Sequence, residues 1–203
     1  MSTVPRTPEV GTKLPAVGTT IFTVMSALAA EKGAVNLGQG FPDFNCDPKL
    51  IEDVTAAMVA GHNQYPPMPG IAALREAIAA KVMALYGRSY DAASEITVTA
   101  GATQAIITAV LAVVRPGDEV IVLEPCYDSY VPNIELAGGV VVRVPLVPGT
   151  FRPDFDKISA AINSKTRALL INSPHNPSAT VWTEADMLNL QDLLAPTDVL
   201  LIS

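Results

Sequence analysis

The chain has 203 residues, 49% of them hydrophobic and 16% charged, so it can bury a sizeable core and is not a disordered sequence. Thirteen basic against 20 acidic side chains leave a formal net charge of -7, which excludes the basic footprint needed for nucleic acid or an anionic membrane surface. The two cysteines, Cys46 and Cys126, lie far apart in neither a C-x-x-C nor a Cys/His spacing, and read as free thiols in a reducing compartment with no metal site.

The first periodic segment, "IFTVMSALAA" (21–30), follows Lys13 and ends in small residues, as a signal peptide does. Ile21, Val24, Met25 and Leu28 nevertheless fall at i, i+3, i+4 and i+7, with Thr23 and Ser26 off that line, which predicts an amphipathic helix. No apolar run reaches the ~20 residues that span a bilayer, so the expectation is a soluble, cytoplasmic protein without a membrane partner. The glycine-rich "NLGQGFPDF" (36–44) comes next. In "DPKLIEDVTAAMVAG" (47–61), Asp47 as N-cap, Pro48 as first helical residue and Gly61 as terminator delimit a second helix. The proline-rich "HNQYPPMPG" (62–70) separates it from a third, "IAALREAIAAKVMALYG" (71–87).

From residue 94 onward strand and helix alternate. "EITVTA" is a β-branched run, "TQAIITAVLAVV" a buried helix closed by "RPGD", and "DEVIVLEP" the next strand. "DSYVPNIELA" reads as a short helix, "VVVRVPL" as strand and "PDFDKISAAIN" as helix. "TRALLINS", "TEADMLNLQDLLA" and "DVLLIS" follow as strand, helix and strand. Strict alternation with apolar strands predicts an α/β fold, a mostly parallel sheet with helices on both faces. Ligands in such sheets sit at the carboxyl ends of the strands.

Three strand ends carry unusual residues. "TAGATQA" joins strand to helix through Gly101; it is either a tight turn or a phosphate seat, in which backbone N–H groups and the helix dipole converge. Neither G-x-G-x-x-G nor G-K-[ST] occurs, so a dinucleotide fold and a P-loop are unsupported. In "EPCYDSY", Tyr127 is either a helix-entry residue or an aromatic that stacks on a planar heterocycle. In "INSPHNPSAT", Asn172, His175 and Asn176 are polar groups at a buried strand end that bond either local backbone or a ligand. Their recurrence at successive strand ends favours a site.

Taken together, "NLGQGFPDF", "NQYPPMPG", "ITVTAGATQAI", "PCYDSY" and "NSPHNPSATVW" resemble the class I/II aminotransferases, fold-type I pyridoxal phosphate enzymes, in the same order and at similar spacing from about Phe22 onward. The form "PHNPSATVW" is most like the branch of methionine aminotransferases and kynurenine or glutamine transaminases. The resemblance implies that residues 1–46 form an N-terminal arm and part of a small domain, and 47–203 an incomplete large domain binding pyridoxal 5'-phosphate. It implies that Gly101, Ala102 and Thr103 hold the cofactor phosphate, that Tyr127 stacks on the pyridine ring and that Asn176 bonds its phenolic oxygen. Pro177, and with it Pro125, would follow cis peptide bonds. Gly40 would approach the substrate carboxylate with its backbone, and Tyr65 would cross to the cofactor phosphate of a second subunit in a homodimer. Outside the resemblance Gly40 is a turn glycine, Tyr65 a loop aromatic covering a core edge, and His175 a supporting residue.

The activity implied is transfer of an amino group from methionine, glutamine or an aromatic amino acid to a 2-oxo acid. The resemblance also implies that the Schiff-base lysine, the aspartate that pairs with the pyridine nitrogen and the carboxylate-binding arginine lie beyond Ser203. The chain is thus expected to be cut in mid-sheet and inactive alone, with no catalytic residue of its own. Lys157 and Lys165, in a helix and the turn after it, read as solvated rather than as replacements. The alternatives are a carbon–sulfur β-lyase or an aminocyclopropane carboxylate synthase type enzyme on the same cofactor site, and a non-catalytic degenerate relative.

Overall fold

The protein is described here by a computed structural model covering residues 11–40 and 42–203, which form two compact units: residues 18–99, and residues 100–203 with 11–17. The smaller unit holds three helices, α1 (Ile21–Lys32), α2 (Pro48–Val59) and α3 (Ala72–Tyr86). Their ends follow local chemistry. Thr20 caps α1 by accepting from the Thr23 N–H, and Asp47 caps α2 by accepting from the Lys49 N–H at 2.8 Å. The chain leaves α2 through Gly61 at φ +89, whose N–H bonds the Met58 carbonyl while His62 bonds that of Ala57. This paired closure of the last turn needs a left-handed residue, which glycine supplies at no steric cost.

Ile21, Val24, Met25 and Leu28 do lie along α1, but each is 41–64% exposed, and none of the three helices has a buried residue. The expected strand "EITVTA" does not form. A strand exists by virtue of ladder bonds to a neighbour, and here the Val98 N–H bonds the Pro69 carbonyl at 3.0 Å, in a turn of the proline-rich loop.

The larger unit alternates as expected: α4 (Gly101–Val113), β1 (Glu119–Glu124), α5 (Tyr130–Leu136), β2 (Val140–Pro145), α6 (Phe155–Ala161), β3 (Thr166–Leu170), α7 (Glu184–Leu194) and β4 (Leu200–Ile202). The four strands lie in the order β2-β1-β3-β4 and every pairing is parallel. Alternate residues of β1 serve opposite faces. Ile121 and Leu123 pack with Leu169 of β3, Ile158 of α6 and Leu190 of α7. Val120 and Val122 pack with Ala168 and Leu170 of β3, Val110 of α4 and Ile134 of α5. Helices on both sides bury the central positions of β1 and β3, which are apolar there, while the edge strands β2 and β4 keep exposed residues. Among the described residues no helix is long and apolar enough to cross a membrane.

The turn from α5 into β2 is closed tightly. A Cβ added to Gly139 would meet Val114 Cγ1 at 2.7 Å and Ile134 Cγ2 at 2.9 Å, with both side chains locked in the core. Gly139→Ala is therefore expected to lower the unfolding free energy by about 1–3 kcal/mol, the range for an overpacked methyl. Denaturant midpoints of the two proteins check this.

Candidate cofactor site

A cavity of about 450 Å³ opens at the carboxyl ends of β1, β3 and β4. Ala102, Ala105 and Ile106 of α4 form one wall, and Tyr127 and Tyr130, from the segment after β1, another. The end of β3 and its following loop contribute Leu170, Ile171, Asn172 and Asn176, and β4 contributes Ile202 and Ser203. Residues from four separate stretches of chain thus converge because a parallel sheet sends all its strand-to-helix turns to one end.

The sequence-predicted residues fall into two groups. Ala102, Tyr127 and Asn176 line this cavity together. Thr103 stands beside it, its Oγ1 3.3 Å from the Tyr127 hydroxyl. Gly101 opens α4 at φ +77, a backbone conformation that favours glycine, although a Cβ there would meet no atom within 4 Å. Conformation rather than space accounts for this glycine. The first turn of α4 has no side-chain cap, and the N–H groups of Ala102 and Thr103 have no acceptor within the helix.

Gly40 and Tyr65 belong to the unit of residues 18–99. Tyr65 is wholly exposed beside a shallow concavity shared with Gly61, Pro67 and Leu74. Fully exposed, Tyr65 covers no core edge within this unit. A Cβ on Gly40 would meet nothing within 4 Å, and Phe41, the next residue of its turn, lies outside the described residues.

The peptide bonds before Pro125 and Pro177 are both cis, as is the one before Pro174, which was not anticipated. His175 is buried, with Nδ1 2.7 Å from the Ser178 hydroxyl. Burial lowers its pKa, and a hydrogen bond to the Pro125 backbone acts in the opposite sense. Burial likewise raises the pKa of Tyr130, with smaller contributions from Cys126 and Tyr127.

Tyr130 lines the cavity without being marked in the sequence, and Asn172, one of the polar groups expected at the end of β3, lines it as well. Tyr130 follows Tyr127 by three positions, and the two rings meet edge to face with centroids 5.7 Å apart. The spacing in "YDSY" was the available signal. Asn172 donates to the Pro174 carbonyl at 3.0 Å, yet its Oδ1 is buried without a partner. An orphaned acceptor of this kind is costly unless a ligand or water satisfies it.

A family model, "Aminotransferase class I and II", matches residues 32–203. The chain belongs to this family. Class I/II aminotransferases are fold-type I enzymes that depend on pyridoxal 5'-phosphate, and the parallel sheet flanked by helices agrees with that fold. A methionine aminotransferase of Escherichia coli is 53% identical over 94% of this chain and 50% of its own length. A probable N-succinyldiaminopimelate aminotransferase of Mycobacterium tuberculosis is 46% identical over 94% of this chain and 49% of its own. The solved structure of an Escherichia coli protein with methionine aminotransferase function superimposes with a TM-score of 0.92 at 51% identity, covering 98% of this chain and 52% of that one. The chain thus spans about half the length of the curated relatives it matches.

The cavity suits the family's cofactor on its own chemistry. It offers an aromatic face in Tyr127, amide groups in Asn172 and Asn176, an unpartnered acceptor in Asn172 Oδ1 and the positive end of a helix beside it. None of its lining residues is cationic. A phosphate would therefore be held by backbone N–H groups, a hydroxyl and the helix dipole. Neither Lys157 nor Lys165 reaches it; both are exposed, and Lys157 pairs with Asp154 at 2.8 Å.

Proposed function

We propose that the whole protein is an aminotransferase that moves the amino group of methionine, glutamine or an aromatic amino acid to a 2-oxo acid, and that residues 100–203 supply most of its cofactor seat. The observation that carries this reading is the convergence of Ala102, Tyr127 and Asn176 on one cavity at the N-terminal end of α4. Methionine is the favoured donor because the Escherichia coli relative of that activity shares 53% of aligned positions.

In this reading the N–H groups of Gly101, Ala102 and Thr103, with the Thr103 hydroxyl, hold the phosphate. The Tyr127 ring covers the heterocycle and its hydroxyl, 3.3 Å from Thr103, keeps that threonine in place. The Asn176 side chain donates to the phenolic oxygen. Bound pyridoxal 5'-phosphate supplies an electron sink that stabilises negative charge at the α-carbon of the substrate. No lysine lines the cavity, so the group that moves the α-proton is not among these residues. Gly40 meets the substrate carboxylate, and Tyr65 acts across a homodimer interface. The full exposure of Tyr65 and the exposed apolar residues of α1 and α2 support a partner subunit.

Titration of this chain with pyridoxal 5'-phosphate, followed by cofactor absorbance and quenching of Trp182, tests the seat. Saturable binding is expected. Thr103→Ala and Asn176→Ala should each weaken it about tenfold, the loss of one hydrogen bond to a charged group. Equal affinity in both variants would remove the assigned roles. In the whole protein, an amino acid supplied without any 2-oxo acid should give a half-turnover and stop. Continuous release of ammonia and a 2-oxo acid would identify a lyase instead, and no reaction with any amino acid a non-catalytic relative.

A further inference from the structure

We propose that Arg152 is a positioning residue that fixes the loop carrying Asn176 against a turn of the chain after β2, and so sets one side of the cavity. The turn itself is anchored to the sheet. Leu146, which follows β2, is buried in the core, and its N–H donates to the Glu124 carbonyl at the end of β1 at 2.9 Å. The Val147 N–H donates to the Arg152 carbonyl at 2.9 Å and the Phe151 N–H to the Val147 carbonyl at 2.8 Å, which closes residues 147–152 on themselves. From this turn one terminal nitrogen of the Arg152 guanidinium donates to the Val181 carbonyl at 3.1 Å. The other donates to the Asp186 carboxylate and, at 3.4 Å, to the Thr183 hydroxyl. A parallel bond runs from the Thr180 hydroxyl to the Thr150 carbonyl at 3.5 Å.

The loop of residues 173–182 is joined at its neck by Trp182, whose N–H donates to the Ser173 hydroxyl at 3.0 Å and whose ring is buried edge to face with Phe155. Farther in, the His175 N–H donates to the Thr180 carbonyl at 2.8 Å and the Ala179 N–H to the His175 carbonyl at 2.7 Å, so Asn176 sits within a closed inner turn. Val181 links neck and inner turn. Its side chain is 59% exposed and packing does not hold it; its carbonyl is held by Arg152. The bond therefore fixes where the inner turn begins. A planar guanidinium suits the task because its fork serves the Val181 carbonyl and the Asp186 carboxylate together, which a single ammonium does not. Arg152 is absent from the cavity lining, so it acts through the loop.

Amide hydrogen exchange in Arg152→Lys, which keeps the charge beside Asp186 but not the fork, tests this without any ligand. The Ala179 amide, inside the loop, should exchange about tenfold faster than in the wild type. The Asp186 amide, which bonds Thr183 Oγ1 at 3.2 Å in the cap of α7, should keep its rate. Unchanged exchange at Ala179, or equal acceleration at both amides, overturns the proposal, because an arginine serving only the helix cap would reach the loop through Asp186 alone. If the lysine variant does not fold, Asp186→Asn gives the converse comparison. It breaks the ion pair and leaves Arg152 on Val181, so Ala179 should keep its wild-type rate, and acceleration there overturns the proposal. The consequence for cofactor rests on the reading above: Arg152→Lys should weaken pyridoxal 5'-phosphate binding up to about tenfold, the loss expected for Asn176→Ala. The double variant should bind no more weakly than Asn176→Ala alone, whereas additive losses would show that Arg152 does not act through Asn176. Failure of the wild-type chain to bind the cofactor counts against that reading, while the exchange rates still decide the role of Arg152.

Discussion

Ile121→Ala lowers the unfolding free energy by about 2–5 kcal/mol, the range for truncating a fully buried isoleucine to alanine. Ile121 is 0% exposed at the centre of β1, which lies between β2 and β3, and it packs among Leu123, Val144, Ile158 and Leu169. A strand bonded on both sides cannot shift to fill the space left behind, so the cavity term adds to the lost burial. Against a total stability on the order of 5–15 kcal/mol, such a loss is large. Chemical denaturation checks it: the midpoint should fall with the slope unchanged. A loss under about 1 kcal/mol would mean that β1 is not the centre of the core.

The second large effect is at Asp186. This carboxylate accepts from the Thr183 N–H at 2.7 Å and the Thr183 hydroxyl at 2.6 Å, while Thr183 Oγ1 accepts from the Asp186 N–H at 3.2 Å. The pair closes a capping box at the start of α7. The Arg152 guanidinium bonds the same carboxylate and also donates to the Val181 carbonyl at 3.1 Å, which joins the segment before α6 to the entry of α7. Asp186→Ala removes the cap and leaves Arg152 half-buried without its counter-charge. The expected cost is about 2–3 kcal/mol, between the ~1 kcal/mol of a lost cap and the ~3–5 kcal/mol of a broken buried pair.

The pH dependence has a definite sign. Burial raises the Asp186 pKa, but the bonds from Thr183 and the charge of Arg152 outweigh it, so the net shift is downward. A carboxyl whose folded pKa is depressed contributes stability above its unfolded value near 3.9 and loses it as pH falls through the folded value. The difference in stability between wild type and Asp186→Ala should therefore be full near neutral pH and shrink on acidification below about 4. A difference that grows with acid would show that Asp186 is not held as the anion.

The elements of residues 100–203 were legible because each carries its own period. The apolar run "VIVL" and the turn glycines that follow are local signals, and a strand buried on both faces has few other readings. "EITVTA" carried the same β-branched signal and failed, since propensity does not supply a ladder partner and Val98 found the Pro69 carbonyl instead. The helix period of "IFTVMSALAA" was equally sound, yet burial of its apolar side depends on what packs against it. Among the described residues of 18–99 none covers that side fully, and it stays 41–64% exposed.

The candidate site divides in the same way. Tyr127 and Asn176 were legible from their places after apolar runs, because strand ends in a parallel sheet face one direction. Tyr130 and the unpartnered Oδ1 of Asn172 were not, since burial and the lack of a partner are properties of the packed state.

The sequence by itself determined the order of strands and helices from residue 101 onward, the cap of α2, and the family, through motifs whose residues are near neighbours. Only the tertiary structure decided that "EITVTA" takes no strand partner and that Arg152 meets Asp186. Arg152 and Asp186 lie 34 residues apart along the chain. Local periodicity is fixed by the geometry of one turn or one pleat. A contact across such a distance exists only once the sheet has set where each loop begins and ends.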